Sequence, residues 1–201
     1  MLTVLGRNVK IDFSNHCNMD SMIEIMKSRR LYPDTSSVIN DTVAYSNALG
    51  PKNYTRIEML RNLHIPEHED DIFKRYFLFY VLEAHGQTIY AQDHKVDSKR
   101  KCLVRPGEKN KIKVKAGDLF VLDSHMEHSM SSPFFKREEA LSLHMGIKDQ
   151  RKYADLSLYA LVVDLSRIPS RDLAMSLFDS STWKWKNRSD CNLIKLSENR
   201  S

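Results

Sequence analysis

The sequence predicts a mainly β fold, an antiparallel sandwich or barrel with a helix flanking it at either end. Three observations point there. Short apolar runs recur from about residue 54 to residue 165, too closely spaced for helices to alternate with them. Clusters of turn formers separate the runs: "HGQ", "RPGEKN", "KAGD" and "SSPFFKR". Helical spacing of apolar residues is clearest at the two ends.

At the N-terminal end, "NMDSMIEIMKSRR" (18–30) has Met19, Met22, Ile23 and Met26 on one helical face behind an Asn or Asp start. The loop-forming "LYPDTSSVINDT" and the irregular "VAYSNALGPKN" follow. "YTRIEMLRNLHI" from Tyr54 fits helix or strand, whereas "RYFLFYVLEA" from Arg75 is aromatic and apolar enough for a central strand. "QTIYAQ", "KIKVK", "DLFVLD", "EALSLHMGI" from Glu139 and "LSLYALVVDL" from Leu156 supply the other strands. "SRDLAMSLFDSS" reads as a short helix capped by Ser170. In the polar tail beyond it, Trp183 and Trp185 pack on the barrel or offer a stacking surface. A single domain over 1–201 is expected, with its core at about 54–165, an N-terminal helix at 18–30 and a C-terminal helix and tail at 170–201.

Composition narrows the classes. Hydrophobic residues make up 41% and charged ones 28%, and no apolar stretch approaches the roughly 20 residues that span a bilayer. Only the first five residues of the N-terminus are apolar, which does not make a secretory signal, so a cytoplasmic location and no membrane partner are expected. Cys17, Cys102 and Cys191 are odd in number and far apart, fitting neither a disulfide framework nor a thiolate zinc site. The basic charge is concentrated. Segment 95–115 carries nine Lys/Arg against two acids, a local +7 in a chain of net +5, leaving about −2 elsewhere. Such a segment suits nucleic acid or an acidic partner, although the alternating "KIKVK" also suits the solvent face of a strand.

Chemistry is suggested first by "IPEHED". Residues two apart at a strand end point to one face, so His68 and Asp70 can reach a common ion while Glu69 looks away. A third ligand has to come from a facing strand, and "VKAGDLFVLDSHMEHSM" offers His125 and His128. Two histidines and one carboxylate on one side of an ion form the facial triad of non-haem iron(II) sites.

In order, "IPEHED", "RYFLFYVLEAHGQTIYA", "VKAGDLFVLDSHMEHSM" and "FFKREEALSLHMGI" resemble the core of the iron(II)/2-oxoglutarate-dependent oxygenases, in particular the prolyl-hydroxylase-like branch. The Gly-Asp strand is also similar to that of cupins in general. The resemblance covers roughly 54–147 and implies a double-stranded β-helix, the cupin-like jelly roll. It maps the family's His-x-Asp onto His68 and Asp70, its Gly-x-Thr turn onto Gly86 and Thr88, and its Gly-Asp strand start onto Gly117 and Asp118. The distal histidine falls on His128, five residues after Asp123, in preference to His125. The basic residue that holds the far carboxylate of 2-oxoglutarate falls on Arg137, expected at the head of an inward-facing strand, with Lys136 as its neighbour. Tyr54, Arg56 and Arg61 precede the triad as further candidates to hold co-substrate or substrate.

The implied cofactors are Fe(II), 2-oxoglutarate as co-substrate and O2, with ascorbate as a candidate reductant. The implied activity is dioxygenase hydroxylation of a protein or amino-acid side chain, or another small molecule. Nucleic acid is the alternative substrate, and a metal-binding cupin or non-catalytic jelly roll is the alternative protein.

Overall fold

The computed structural model describes residues 1–13, 19–28, 57–70, 76–97, 102–144 and 150–179. Nine strands lie in these segments: β1 (Leu2–Gly6), β2 (Ile57–Asn62), β3 (Ile65–His68), β4 (Tyr76–Glu83), β5 (Thr88–Asp97), β6 (Cys102–Lys113), β7 (Leu119–Asp123), β8 (Glu127–Ser131) and β9 (Leu158–Leu165). Three α-helices accompany them: α1 (Met19–Ser28), α2 (Arg137–His144) and α3 (Arg171–Leu177). A 3-10 segment, Gln150–Leu156, leads into β9. None of the described helices is long and apolar enough to cross a membrane.

The strands form a five-stranded sheet ordered β1-β7-β4-β9-β2 and a four-stranded sheet ordered β3-β8-β5-β6, every pairing antiparallel. The partners nest: β2 with β9, β3 with β8, β4 with β7, β5 with β6. One long hairpin is therefore wound so that its strands pass back and forth between two sheets. That path is the jelly roll, the double-stranded β-helix, and β1 adds a strand beside β7.

Strand alternation divides the core. Ile57, Met59, Leu78, Tyr80, Leu119, Val121, Tyr159, Leu161 and Val163 cover the outer face of the larger sheet. Met22 and Met26 of α1 and Leu177 of α3 pack on that face. The other face meets the smaller sheet through Val81, Phe120 and Ala160 against Ile89, Val114 and Met130. β9 is covered on both sides, so "LYALVVDL" is a nearly continuous apolar run instead of an alternating one. As expected from its sequence, β4 is a central strand, bonded to β7 and β9. Helix α3 has the anticipated cap: the Ser170 hydroxyl accepts from Leu173 N–H at 3.2 Å.

The strand expected at "EALSLHMGI" is instead helix α2, beginning at Arg137. Glu138, Glu139 and Ala140 favour a helix start, and the apparent period of two in so short a run does not outweigh them.

Gly117 holds the turn between β6 and β7 in place. Its φ is +80°, and a Cβ there would lie 3.0 Å from Val9 O and 3.2 Å from Asn8 Cα. Its carbonyl accepts from Val9 N–H and its N–H donates to Val81 O, both at 2.8 Å. Gly117→Ala should therefore destabilise the fold by about 1–3 kcal/mol in urea unfolding, combining left-handed strain with the backbone clash.

Candidate metal centre

β3 and β8 are neighbours, and their register sets His68 directly opposite His128. The two rings lie 4.3 Å apart, centroid to centroid, tilted by 53°. On β8, His128 and Met130 are buried while Glu127, Ser129 and Ser131 are partly exposed, so the histidine faces the barrel interior. Across the sheet it pairs with Ala91 of β5. Ala91, Leu122 and Met126, with Phe79 beside them, make an apolar wall on that side. Phe79 is itself held by stacking on Phe120 at 4.8 Å.

Asp70 stands just past the end of β3 and needs a separate anchor. Its N–H donates to the carbonyl of buried Ser124 at 3.0 Å, tying its loop to the turn between β7 and β8. The carboxylate then reaches both rings: Oδ1 lies 3.5 Å from His68 Nε2 and Oδ2 lies 3.4 Å from His128 Nε2.

The remaining ring nitrogens are fixed by the backbone. His68 Nδ1 is 2.8 Å from Pro66 O, and His128 Nδ1 is 2.7 Å from Met126 O. A carbonyl only accepts, so each Nδ1 carries the hydrogen and each neutral ring turns its Nε2 lone pair toward Asp70. Two lone pairs aimed at one carboxylate leave no proton between them. A proton on His68 or a metal cation resolves the arrangement, and carbonyl-braced imidazoles are the usual support of metal-binding histidines. One ligand atom from each of His68, Asp70 and His128 lies within 4.8 Å of the others, so the group could hold a metal ion. The donor set of two imidazoles and a carboxylate suits a divalent first-row metal. The side chains of His68 and Asp70 are 36% and 31% exposed against 7% for His128, so the group opens to solvent on one side.

The two imidazoles have opposite proton affinities. The hydrogen bond to Asp70 raises the pKa of His68 above 6.5, although burial opposes it. Burial chiefly lowers that of His128, with the neighbouring His68 adding to the effect. A metal needs both Nε2 atoms unprotonated. As pH falls, His68 takes its proton first, beginning above pH 6.5, and the His68–Asp70 ion pair competes with the metal. Calorimetric titration with Zn(II) or Co(II) should accordingly show affinity that falls, by about tenfold per unit, as pH drops through the raised His68 titration.

Of the other sequence-derived residues, those that are described do not join this group. His125 is exposed in the turn, its N–H donating to Asp123 Oδ1 at 3.2 Å. Arg137 is the exposed first residue of α2, not the inward head of a strand, and Lys136 beside it is also exposed. The strand that follows β8 in the chain, β9, carries no Lys or Arg at any of its positions. Tyr54 and Arg56 lie outside the described residues, as do Trp183 and Trp185. Arg61 is fully buried on the face of β2 toward α1, donating to Ser157 Oγ at 3.2 Å and Met26 O at 3.1 Å. Its role there is to join helix to sheet. Sequence reasoning did not anticipate the bracing carbonyls of Pro66 and Met126, the Ser124 anchor or the Phe79 wall. Of these, only the inward alternation of Phe77 and Phe79 in "YFLFYVLE" leaves a signal in the sequence.

No protein-family model matches the sequence, and no curated protein does. Among solved structures the chain is similar to AviO1 from Streptomyces viridochromogenes Tue57, at 14% identity over 58% of this chain and 52% of that one, with a TM-score of 0.33. It is similar to EvdMO1 at 15% identity over 55% of this chain and 26% of that one, TM-score 0.32. An RmlC-like cupin from Desulfovibrio desulfuricans matches at 14% identity over 63% of this chain and 85% of that one, TM-score 0.26. The match thus spans about half the length of the first of these chains and a quarter of the second. At such scores the fold assignment rests on the strand order itself.

Proposed function

We propose that the protein is a mononuclear non-haem iron(II) oxygenase that uses 2-oxoglutarate as co-substrate and O2 as oxidant. The observation that carries this reading is the convergence, in a jelly roll, of two carbonyl-braced Nε2 atoms and one carboxylate that are partly open to solvent. Three protein ligands on one side of an ion leave the opposite side for co-substrate and oxygen. Iron held there would supply the chemistry that oxygenates an unactivated C–H bond. The chain's own contribution is positional: the Pro66 and Met126 carbonyls orient the rings, Ser124 O holds the Asp70 loop, and Ala91, Leu122, Met126 and Phe79 keep water from one flank. Ascorbate would keep the iron reduced. The choice of 2-oxoglutarate is supported by the ordered resemblance from His68 to His128.

One observation favours a second reading, a metal-binding cupin indifferent to 2-oxoglutarate. The family's carboxylate anchor is expected one strand after the distal histidine, and β9 has no basic side chain. Incubation of the Fe(II)-loaded protein with 2-oxoglutarate labelled at the C1 carboxyl distinguishes the two. Labelled CO2 released with O2, and lost in Asp70→Asn, supports the oxygenase. A metal-loaded protein that releases none under O2, with or without candidate substrates, belongs to the second reading.

A further inference from the structure

The four-stranded sheet has an outer face that the metal centre does not use. Ile89, Ala91, Ile112, Val114 and His128 point into the barrel, so strand alternation and register place Thr88, Tyr90 and Gln92 of β5 on the opposite face with Lys113, Lys111 and Lys109 of β6. Among the described strands, β6 is one of the two edges of this sheet. Lys109, Lys111 and Lys113 are exposed and stand about 7 Å apart along it, and exposed Lys115 continues the run. Tyr90, half-buried, lies directly across from Lys111, and the Lys109 ammonium is 5.4 Å from its ring centroid.

The row has a direction. Lys109 Nζ pairs with Glu67 Oε1 at 3.3 Å, the residue before His68, so this end of the row adjoins the strand that carries the metal centre. Edge lysines alone would be explained by the need to keep a free strand from pairing with another chain. Two features exceed that need. An aromatic ring is set among the cations, and segment 95–115 carries a local +7 while the rest of the chain sums to about −2.

We propose that this face binds single-stranded nucleic acid, with Lys109, Lys111 and Lys113 on successive phosphates and the Tyr90 ring against a base. Cations spaced along an extended strand track a phosphate backbone, and the ring offers a stacking platform that every base fits. An acidic polypeptide would use the lysines and leave the ring idle, and a duplex keeps its base faces stacked away. Binding here does not depend on the metal; if the iron reading also holds, the row leads a strand of nucleic acid to the rim of the metal centre.

The test is fluorescence anisotropy of the metal-free full chain with fluorescein-labelled mixed-sequence DNA and RNA single strands of about 16 nucleotides, between about 50 and 200 mM salt. Wild type should bind, more weakly as salt rises. Lys111→Gln/Lys113→Gln should weaken binding at least tenfold and flatten the log–log salt slope by roughly 0.7 per lysine removed. Tyr90→Leu, which keeps apolar bulk and loses the ring, should weaken it about tenfold with the slope unchanged. Thermal melts check that each variant is folded, with Lys113→Gln alone replacing the double variant should that one unfold. His128→Ala should bind as wild type does, which separates this proposal from the iron reading. Absence of binding, indifference to either substitution, or equal displacement by polyglutamate of matched charge would overturn it, the last by assigning the face to an acidic polypeptide.

Discussion

Replacing His128 by alanine should abolish stoichiometric Fe(II) binding while leaving both sheets folded. His128 is the most enclosed of the three candidate ligands, and its Nε2 lies 3.4 Å from Asp70 Oδ2. Without it the ion would keep one imidazole and one carboxylate, both partly exposed. Loss of outer bracing groups alone commonly costs about 10–100-fold in metal affinity, so loss of a ligand should exceed about 100-fold. The fold should tolerate the change. The neighbouring wall is Ala91, Leu122 and Met126, and the lost ring bond to Met126 O contributes on the order of 1 kcal/mol. Asp70→Asn should give a similar loss of metal at nearly constant shape, because an amide keeps the size but not the charge. His125→Ala, in the exposed turn, should bind iron as wild type does. Metal content after anaerobic desalting, measured beside circular dichroism, checks all three.

The largest expected effect on stability is at Arg61. Arg61→Met should destabilise the protein by about 3 kcal/mol in urea or thermal unfolding and leave metal affinity unchanged. The guanidinium is fully buried between β2 and α1. Its bond to Met26 O engages a carbonyl in the last turn of α1, where the helix has no intrahelical donor to offer and a positive charge is favoured. Its second bond, to Ser157 Oγ, ties the same point to the residue before β9. Methionine fills much of the volume but takes the guanidinium donor from that helix carbonyl, while the Ser157 hydroxyl keeps its bond to Tyr153 O at 3.2 Å. Lys27, next to Met26, strengthens the joint with ion pairs to Glu24 at 3.0 Å, Asp155 at 3.1 Å and Glu83 at 3.9 Å. These acids raise its pKa although burial opposes the charge.

Much of the fold was legible because burial on one or two sides leaves a period in the chain. The unbroken aromatic and apolar runs "RYFLFYVLEA" and "DLFVLD" give β4 and β7, and the 3.6-residue spacing of Met19, Met22, Ile23 and Met26 gives α1. Where a segment is short, the period is ambiguous. Ala140 of "REEALSLHM" is buried, and its helix-forming neighbours outweigh an alternation of leucines two apart. β8 and β3 were also hard to see as strands: five and four residues long, they carry His128, Glu67 and Pro66 among few apolar side chains. Within the candidate site, His68, Asp70 and His128 could be grouped in advance because each is a chemically distinctive residue at a strand end. The details that orient them could not. Those are main-chain carbonyls of Pro66, Met126 and Ser124, which any residue at those positions would present. Arg137 was misplaced for the same reason that α2 was: its inward direction depended on a strand that does not form.

The most direct test of an iron centre that takes 2-oxoglutarate is anaerobic titration of the Fe(II)-loaded protein with 2-oxoglutarate, followed by visible absorption in wild type and His68→Ala. Chelation of ferrous iron by the keto-acid gives a weak metal-to-ligand charge-transfer band. The account expects that band in wild type, saturating at one 2-oxoglutarate per bound iron, and its absence in the variant. Wild-type protein that holds iron at His68, Asp70 and His128 yet develops no band would contradict it.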